Sequence, residues 1–212
     1  MKHVLLAVVL CAPFAAVAAE TATDPFTQGS AEAGAAKAAP CTACHGPAGN
    51  SSNPQWPKLA GQGSRYTYEQ LKAFKDGTRS NPLMSPQAAA LSDQDMRDLA
   101  AYFAQQPFSP GVAAEDAVAI AQPLYRAGDA TRGIAACAAC HLPTGAGVDA
   151  SAFPRIGGQH AGYAAQRLAA YRDAALAGAK MPGGNFKIMA AVAAQLSDAE
   201  IEALASYING LQ

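Results

Sequence analysis

Apolar positions recur at helical spacing in two distant stretches of the chain. Met96, Leu99, Ala100 and Phe103 form one face, and Ile201, Leu204, Ala205 and Ile208 form a similar one. Each run is preceded by a serine with an acid three residues on, Ser92 with Asp95 and Ser197 with Glu200, the spacing of a capping box. These are expected to be the final helices of two halves, each packing on its own core against an N-terminal helix. Further helices are predicted ahead of each cysteine group, over Arg65 to Lys75 and over Tyr163 to Ala177, with an irregular middle between. Alanine dominates and β-branched runs are few, so the fold class is all-α.

The likeness of the two faces extends to the rest of the chain, which is an internal duplication. Cys41-Thr-Ala-Cys44-His45 matches Cys137-Ala-Ala-Cys140-His141, and Trp56-Pro57-Lys58-Leu59-Ala60-Gly61-Gln62 matches Phe153-Pro154-Arg155-Ile156-Gly157-Gly158-Gln159. The offset is 96 residues at the first motif, 97 at the second and 105 at the final helices. The second copy therefore carries a short insertion between Tyr171 and Met189, read as a surface loop from Gly178, Pro182, Gly183 and Gly184. Pro107, Pro110 and Gly111 mark a linker without apolar periodicity.

The N-terminus changes the domain count. Lys2 is followed by the apolar run Val4 to Leu10 and small residues ending at Ala19, the three parts of a secretory signal. The predicted organisation is a signal peptide at 1–19, one domain at 20–106, a linker at 107–115 and a second domain at 116–212. No segment approaches the roughly 20 apolar residues of a membrane span. After the signal, 14 basic residues face 16 acidic ones, a balance that gives no reason to expect nucleic acid. An exported chain is expected in the periplasm, where unprotected cysteine pairs would oxidise.

The cysteine spacing points elsewhere. CxxCH is the attachment sequence of c-type haem, because cysteines at i and i+3 share one side of a helical turn and the next histidine reaches the iron. Two copies imply two covalently bound haem c groups, on Cys41 and Cys44 and on Cys137 and Cys140, with His45 and His141 as iron ligands. A redox-active dithiol and a zinc site are the alternatives. The only other histidine beyond the signal, His160, aligns with Gly63 and is read as a surface or cap residue without a role. Methionine is the remaining soft ligand for haem iron. Met84 and Met189 each stand eight residues before the capping serine, so they are the candidate sixth ligands. Met96 belongs to an apolar helix face, and Met181 has no counterpart. Pro57 and Pro154, matched near each haem, could offer backbone carbonyls to the iron-bound imidazoles.

With both CxxCH motifs, the paired methionines and the repeated Pro-(Lys/Arg)-(Leu/Ile)-(Ala/Gly)-Gly-Gln segment, the chain resembles the cytochrome c4 family over nearly all its expected mature length. The resemblance implies two tandem class I cytochrome c domains about a pseudo-twofold axis. It implies His45 and Met84 on one iron, His141 and Met189 on the other, and Pro57 and Pro154 facing the histidines. One departure is the short connection from Arg79 to Met84, which makes the first methionine loop compact.

Axial closure of both irons would leave no site for substrate, so the expected function is electron transfer and not catalysis. Transient redox partners are implied, with a terminal oxidase or a cytochrome bc complex as candidates, and a homodimer is compatible with the sequence. The rival within the same chemistry is a haem c subunit of a periplasmic dehydrogenase such as flavocytochrome c sulfide dehydrogenase. A dihaem peroxidase would need one iron to lose its sixth ligand, and a haem sensor would need an output module.

Overall fold

The computed structural model describes residues 23–178 and 184–212. The N-terminal apolar run, the tip of the predicted insertion and Met181 lie outside the described residues. Among the described residues ten α-helices follow one another: α1 (Ala31–Lys37), α2 (Ala39–His45), α3 (Ser64–Asp76), α4 (Met84–Ala89), α5 (Asp93–Ala104), α6 (Glu115–Ala127), α7 (Cys137–His141), α8 (Ala161–Leu176), α9 (Asn185–Ala193) and α10 (Asp198–Gly210). Among the described residues, extended pairing is limited to three isolated bridges. The fold is all-α and duplicated, α1 to α5 in the first half and α6 to α10 in the second.

The final helices begin where the capping signal places them. Ser92 Oγ accepts the Asp95 N–H at 3.1 Å while the Asp95 carboxylate accepts the Ser92 N–H at 2.9 Å. Ser197 and Glu200 repeat this at 3.3 and 2.9 Å. In the first half α5 packs on α1 and α3, and in the second α10 packs on α6 and α8. Their apolar faces are buried: Leu99 and Phe103 in the first half, Ile201, Leu204 and Ile208 in the second. Met96 is buried too, as a core residue. The α1–α5 crossing is close because residue 34 is glycine. A Cβ there would stand 2.0 Å from the Asp98 carbonyl oxygen.

The stretches between α2 and α3 and between α7 and α8 are irregular, as the sequence pattern predicts, with one short 3-10 turn in each, Pro47–Gly49 and Asp149–Ser151. Beyond α3 and α8 the pattern predicts no helix before the final one, yet α4 and α9 form there and carry the two candidate methionines. Helix α4 spans only six residues and lacks a long apolar period. It starts because the Asn81 carboxamide accepts the N–H groups of Leu83 and Met84, both at 2.9 Å. Pro86 then takes a first-turn position, where a missing N–H costs nothing.

The repeated Gly-Gln segments join the halves. Gln62 donates to the Arg155 carbonyl at 2.9 Å and accepts the Arg155 N–H at 2.8 Å. Gln159 does the same to Lys58, at 3.0 and 2.9 Å, so the clamp is reciprocal about the pseudo-twofold axis. Lys58 and Arg155 turn their charged ends onto carbonyls: Lys58 Nζ to Gly158 (3.1 Å) and Ser109, Arg155 Nε to Gly61 (3.1 Å). Arg155 also covers the ring of Phe108 in the connecting segment at 4.0 Å. Helix α3 has no side-chain cap from its own half. Asp149 of the second half supplies it, accepting the N–H groups of Ser64 (3.1 Å) and Arg65 (2.9 Å) and the Ser64 hydroxyl (2.8 Å).

Candidate functional site

Helix α2 carries Cys41, Cys44 and His45, and α7 carries Cys137, Cys140 and His141. One helical turn places each pair of cysteines on the same side of the chain, and all four thiols are unpaired. Burial pushes the Cys41 thiol up and the Cys137 thiol up to about 11, so both are neutral at pH 7. That is the reverse of the lowered thiol of an attacking CxxC pair. Among the described residues, no three His, Cys, Asp or Glu side chains converge as a site for a bare metal ion.

Both motif histidines are buried, and each is held by one backbone carbonyl. His45 Nδ1 lies 2.8 Å from the Pro57 oxygen, and His141 Nδ1 lies 2.9 Å from the Pro154 oxygen. A carbonyl oxygen only accepts, so each Nδ1 carries the proton. Burial also holds both imidazoles below the ordinary histidine value, although the carbonyl opposes this. The result at pH 7 is a neutral ring of fixed orientation with an unprotonated Nε2, the form that binds a metal.

Met189, half-buried on α9, lines a cleft of about 400 Å³ together with Pro154, Ala152, Tyr171 and Phe186. The cleft continues onto α3 of the first half through Tyr66, Gln70 and Ala73. It therefore brings Met189 and the residue that holds His141 to one cavity. Met84 is half-buried at the first turn of α4. The residues fit covalent haem c: paired thiols on one turn, an imidazole with a free nitrogen, a thioether and, in the second half, a cleft that Pro154 and Met189 share.

His160 departs from expectation. It stands at the N-cap position of α8, but its ring does not cap that helix. Its Nε2 lies 2.7 Å from the Ser51 carbonyl oxygen in the other half, where burial and Lys58 lower its pKa. It is an inter-half contact, and so are Gln62, Gln159 and Asp149, which sequence reasoning passed over. The only advance signal was the exact repetition of Gly-Gln, which marks a matched position without saying what it touches.

The comparisons with known proteins agree with this geometry. The cytochrome c family model matches residues 31–107 and again 126–212. Cytochrome c4 of Pseudomonas aeruginosa is 48% identical over 183 residues, covering 86% of this chain and 89% of that protein. The crystal structure of reduced recombinant cytochrome c4 from Pseudomonas stutzeri superposes with a TM-score of 0.81 at 44% identity, covering 87% of this chain and 100% of that one. A thiosulfate dehydrogenase electron acceptor of Stutzerimonas stutzeri is 39% identical over 187 residues, covering 86% and 82%. Fold and site together define a tandem c-type cytochrome with two covalently bound haem c groups. The chain belongs to the cytochrome c4 family, and its function is electron transfer.

Proposed function

We propose that this chain is a periplasmic electron carrier and not an enzyme, exported by the signal at 1–19, with haem domains at 20–106 and 116–212 joined by 107–115. His45 and Met84 hold one iron, and His141 and Met189 the other. Cys41 and Cys44, and Cys137 and Cys140, tether the porphyrins by thioether bonds. The observation that carries this reading is the pair of imidazoles, each locked by a proline carbonyl with Nε2 free.

When bound, haem iron supplies reversible one-electron exchange. The Pro57 and Pro154 carbonyls fix the imidazoles, so that the ligand geometry does not change with redox state. The methionine sulfurs of Met84 and Met189 would hold the irons together with the imidazoles; a thioether ligand favours reduced iron, so both potentials would be high and the irons would be closed to substrate. The near-even charge balance favours small, transient docking faces. A terminal oxidase is the proposed acceptor and a cytochrome bc complex the proposed donor.

A second reading is favoured by the likeness to a thiosulfate dehydrogenase electron acceptor. There the chain would take its electrons from a periplasmic dehydrogenase. Stopped-flow mixing separates the two. The reduced protein is mixed with oxidase-containing membranes, and the oxidised protein with a thiosulfate dehydrogenase and thiosulfate. Fast oxidation by the membranes, slowed by salt, is expected. Failure there, with fast reduction by the dehydrogenase, would replace the first reading by the second.

A further inference from the structure

Most of the charged side chains at the seam between the halves meet an opposite charge or a backbone group, whereas the Arg79 guanidinium meets only neutral side chains. Its guanidinium lies over the Phe74 ring at 4.5 Å, donates to Gln70 Oε1 at 2.6 Å and donates to the Tyr163 hydroxyl of the other half at 3.1 Å. All three partners are neutral. Among the described residues no Asp or Glu forms an ion pair with it, whereas Arg65, Arg97, Arg132 and Arg172 each have at least one. Lys58 and Arg155 also lack carboxylates, but backbone carbonyls of the clamp hold them.

Tyrosines surround the same place. Tyr66 feels the charges of Arg79 and Arg167 and neighbours Tyr163 and Tyr171, and Arg167 covers the Tyr171 ring at 4.8 Å. Burial pushes the Tyr66 phenol well up, so it stays a neutral hydrogen-bond donor. Two cations and several phenols gather here, and among the described residues neither Arg79 nor Arg167 forms an ion pair with a carboxylate. Arg79 is half-buried; withdrawing part of a guanidinium from water against neutral groups alone is unfavourable, and an arriving anion offsets that cost. Gln70 and Tyr66 also line the cleft that holds Met189 and Pro154, so the cluster borders a cofactor cavity.

We propose that Arg79, with Gln70 and Tyr163, binds a carboxylate side chain of a porphyrin at the junction of the two halves. The inference rests on the haem-binding reading above. Haem carries two propionates, the acidic groups that cofactor binding would bring to this chain. A carboxylate paired with Arg79 stays ionised at neutral pH and adds little net charge near its iron. The residue that completes the site, Tyr163, comes from the opposite half, so the halves must be together for the site to form. Arg79 acts as a positioning and charge-balancing residue and not as an iron ligand.

The test is a redox titration of the full holoprotein from pH 5 to 8, for wild type, Arg79→Gln, Arg79→Lys and Tyr163→Phe. In Arg79→Gln the unpaired carboxylate favours oxidised iron, so one of the two midpoint potentials should fall. The carboxylate pKa should also rise, so that this potential climbs as pH falls through the window. Arg79→Lys should restore most of the potential, and Tyr163→Phe should shift it least. If Arg79→Gln fails to accumulate, the resonance Raman propionate band in Arg79→Lys, displaced from wild type, carries the test. Unchanged potentials in Arg79→Gln at every pH, or an undisplaced band in Arg79→Lys, would overturn the proposal. Wild type lacking two haems would instead overturn the haem-binding reading.

Discussion

The Gln62 carboxamide clamps the backbone of Arg155, donating to its carbonyl at 2.9 Å and accepting its N–H at 2.8 Å. Both groups of one residue are thus satisfied by one side chain from the other half. Gln62 and Gln159 are buried, so neither clamp is exposed to competing water.

Replacing Gln62 by alanine strands a backbone N–H and a carbonyl at the seam, at a cost of about 1–3 kcal/mol. Gln159→Ala should behave alike. In the double variant the two halves should unfold as separate transitions in calorimetry where the wild type shows one. A single unchanged transition in the double variant would mean that the clamps do not couple the halves.

Asp149→Ala removes the cap of a helix in the other half. The expected loss is about 1 kcal/mol, the usual worth of an N-cap, read from denaturant unfolding. Its location should be unusual. Hydrogen exchange should quicken at the start of α3 in the first half, although the substitution lies in the second. Exchange confined to the neighbourhood of residue 149 would argue against the cross-half cap.

Glu200 connects stability to pH. Its carboxylate is held down to about 2, chiefly by Arg132, whose guanidinium nitrogens lie 2.5 and 3.1 Å away, and further by Ser197. A folded pKa below the unfolded one means that this stabilisation is complete above about pH 5. It is lost as pH falls from there towards 2. Glu200→Gln should therefore be less stable than wild type at pH 7 and close to it near pH 2. Acid titrations of the two proteins by circular dichroism should converge, and parallel curves would refute the assignment.

What the sequence discloses is what it encodes locally. The CxxCH turns, the duplicated blocks and both capping boxes occupy a few consecutive residues, and each has a distinct spacing. The methionine-bearing helices were harder to see, because α4 is six residues long and depends on the Asn81 side chain for its start. The seam could not be read at all. Gln62 to Arg155, Asp149 to Ser64 and His160 to Ser51 join positions 85 to 109 residues apart, and only the packing of the halves selects those partners. His160 illustrates the point: its place at the head of α8 was legible, and its ring's partner was not. Arg79 likewise reads as one more surface cation until Tyr163 is seen opposite it.

The role of electron carrier rests on both irons being closed on both sides. Purified full-length protein should be assayed for haem content, for carbon monoxide binding when reduced, and for the far-red iron–thioether band when oxidised. Two haems per chain are predicted, with no carbon monoxide binding. Met84→Leu and Met189→Leu should each remove about half of the band, and Met181→Leu none. One haem per chain, carbon monoxide binding to the native reduced protein, or loss of the band in Met181→Leu in place of Met189→Leu would contradict it.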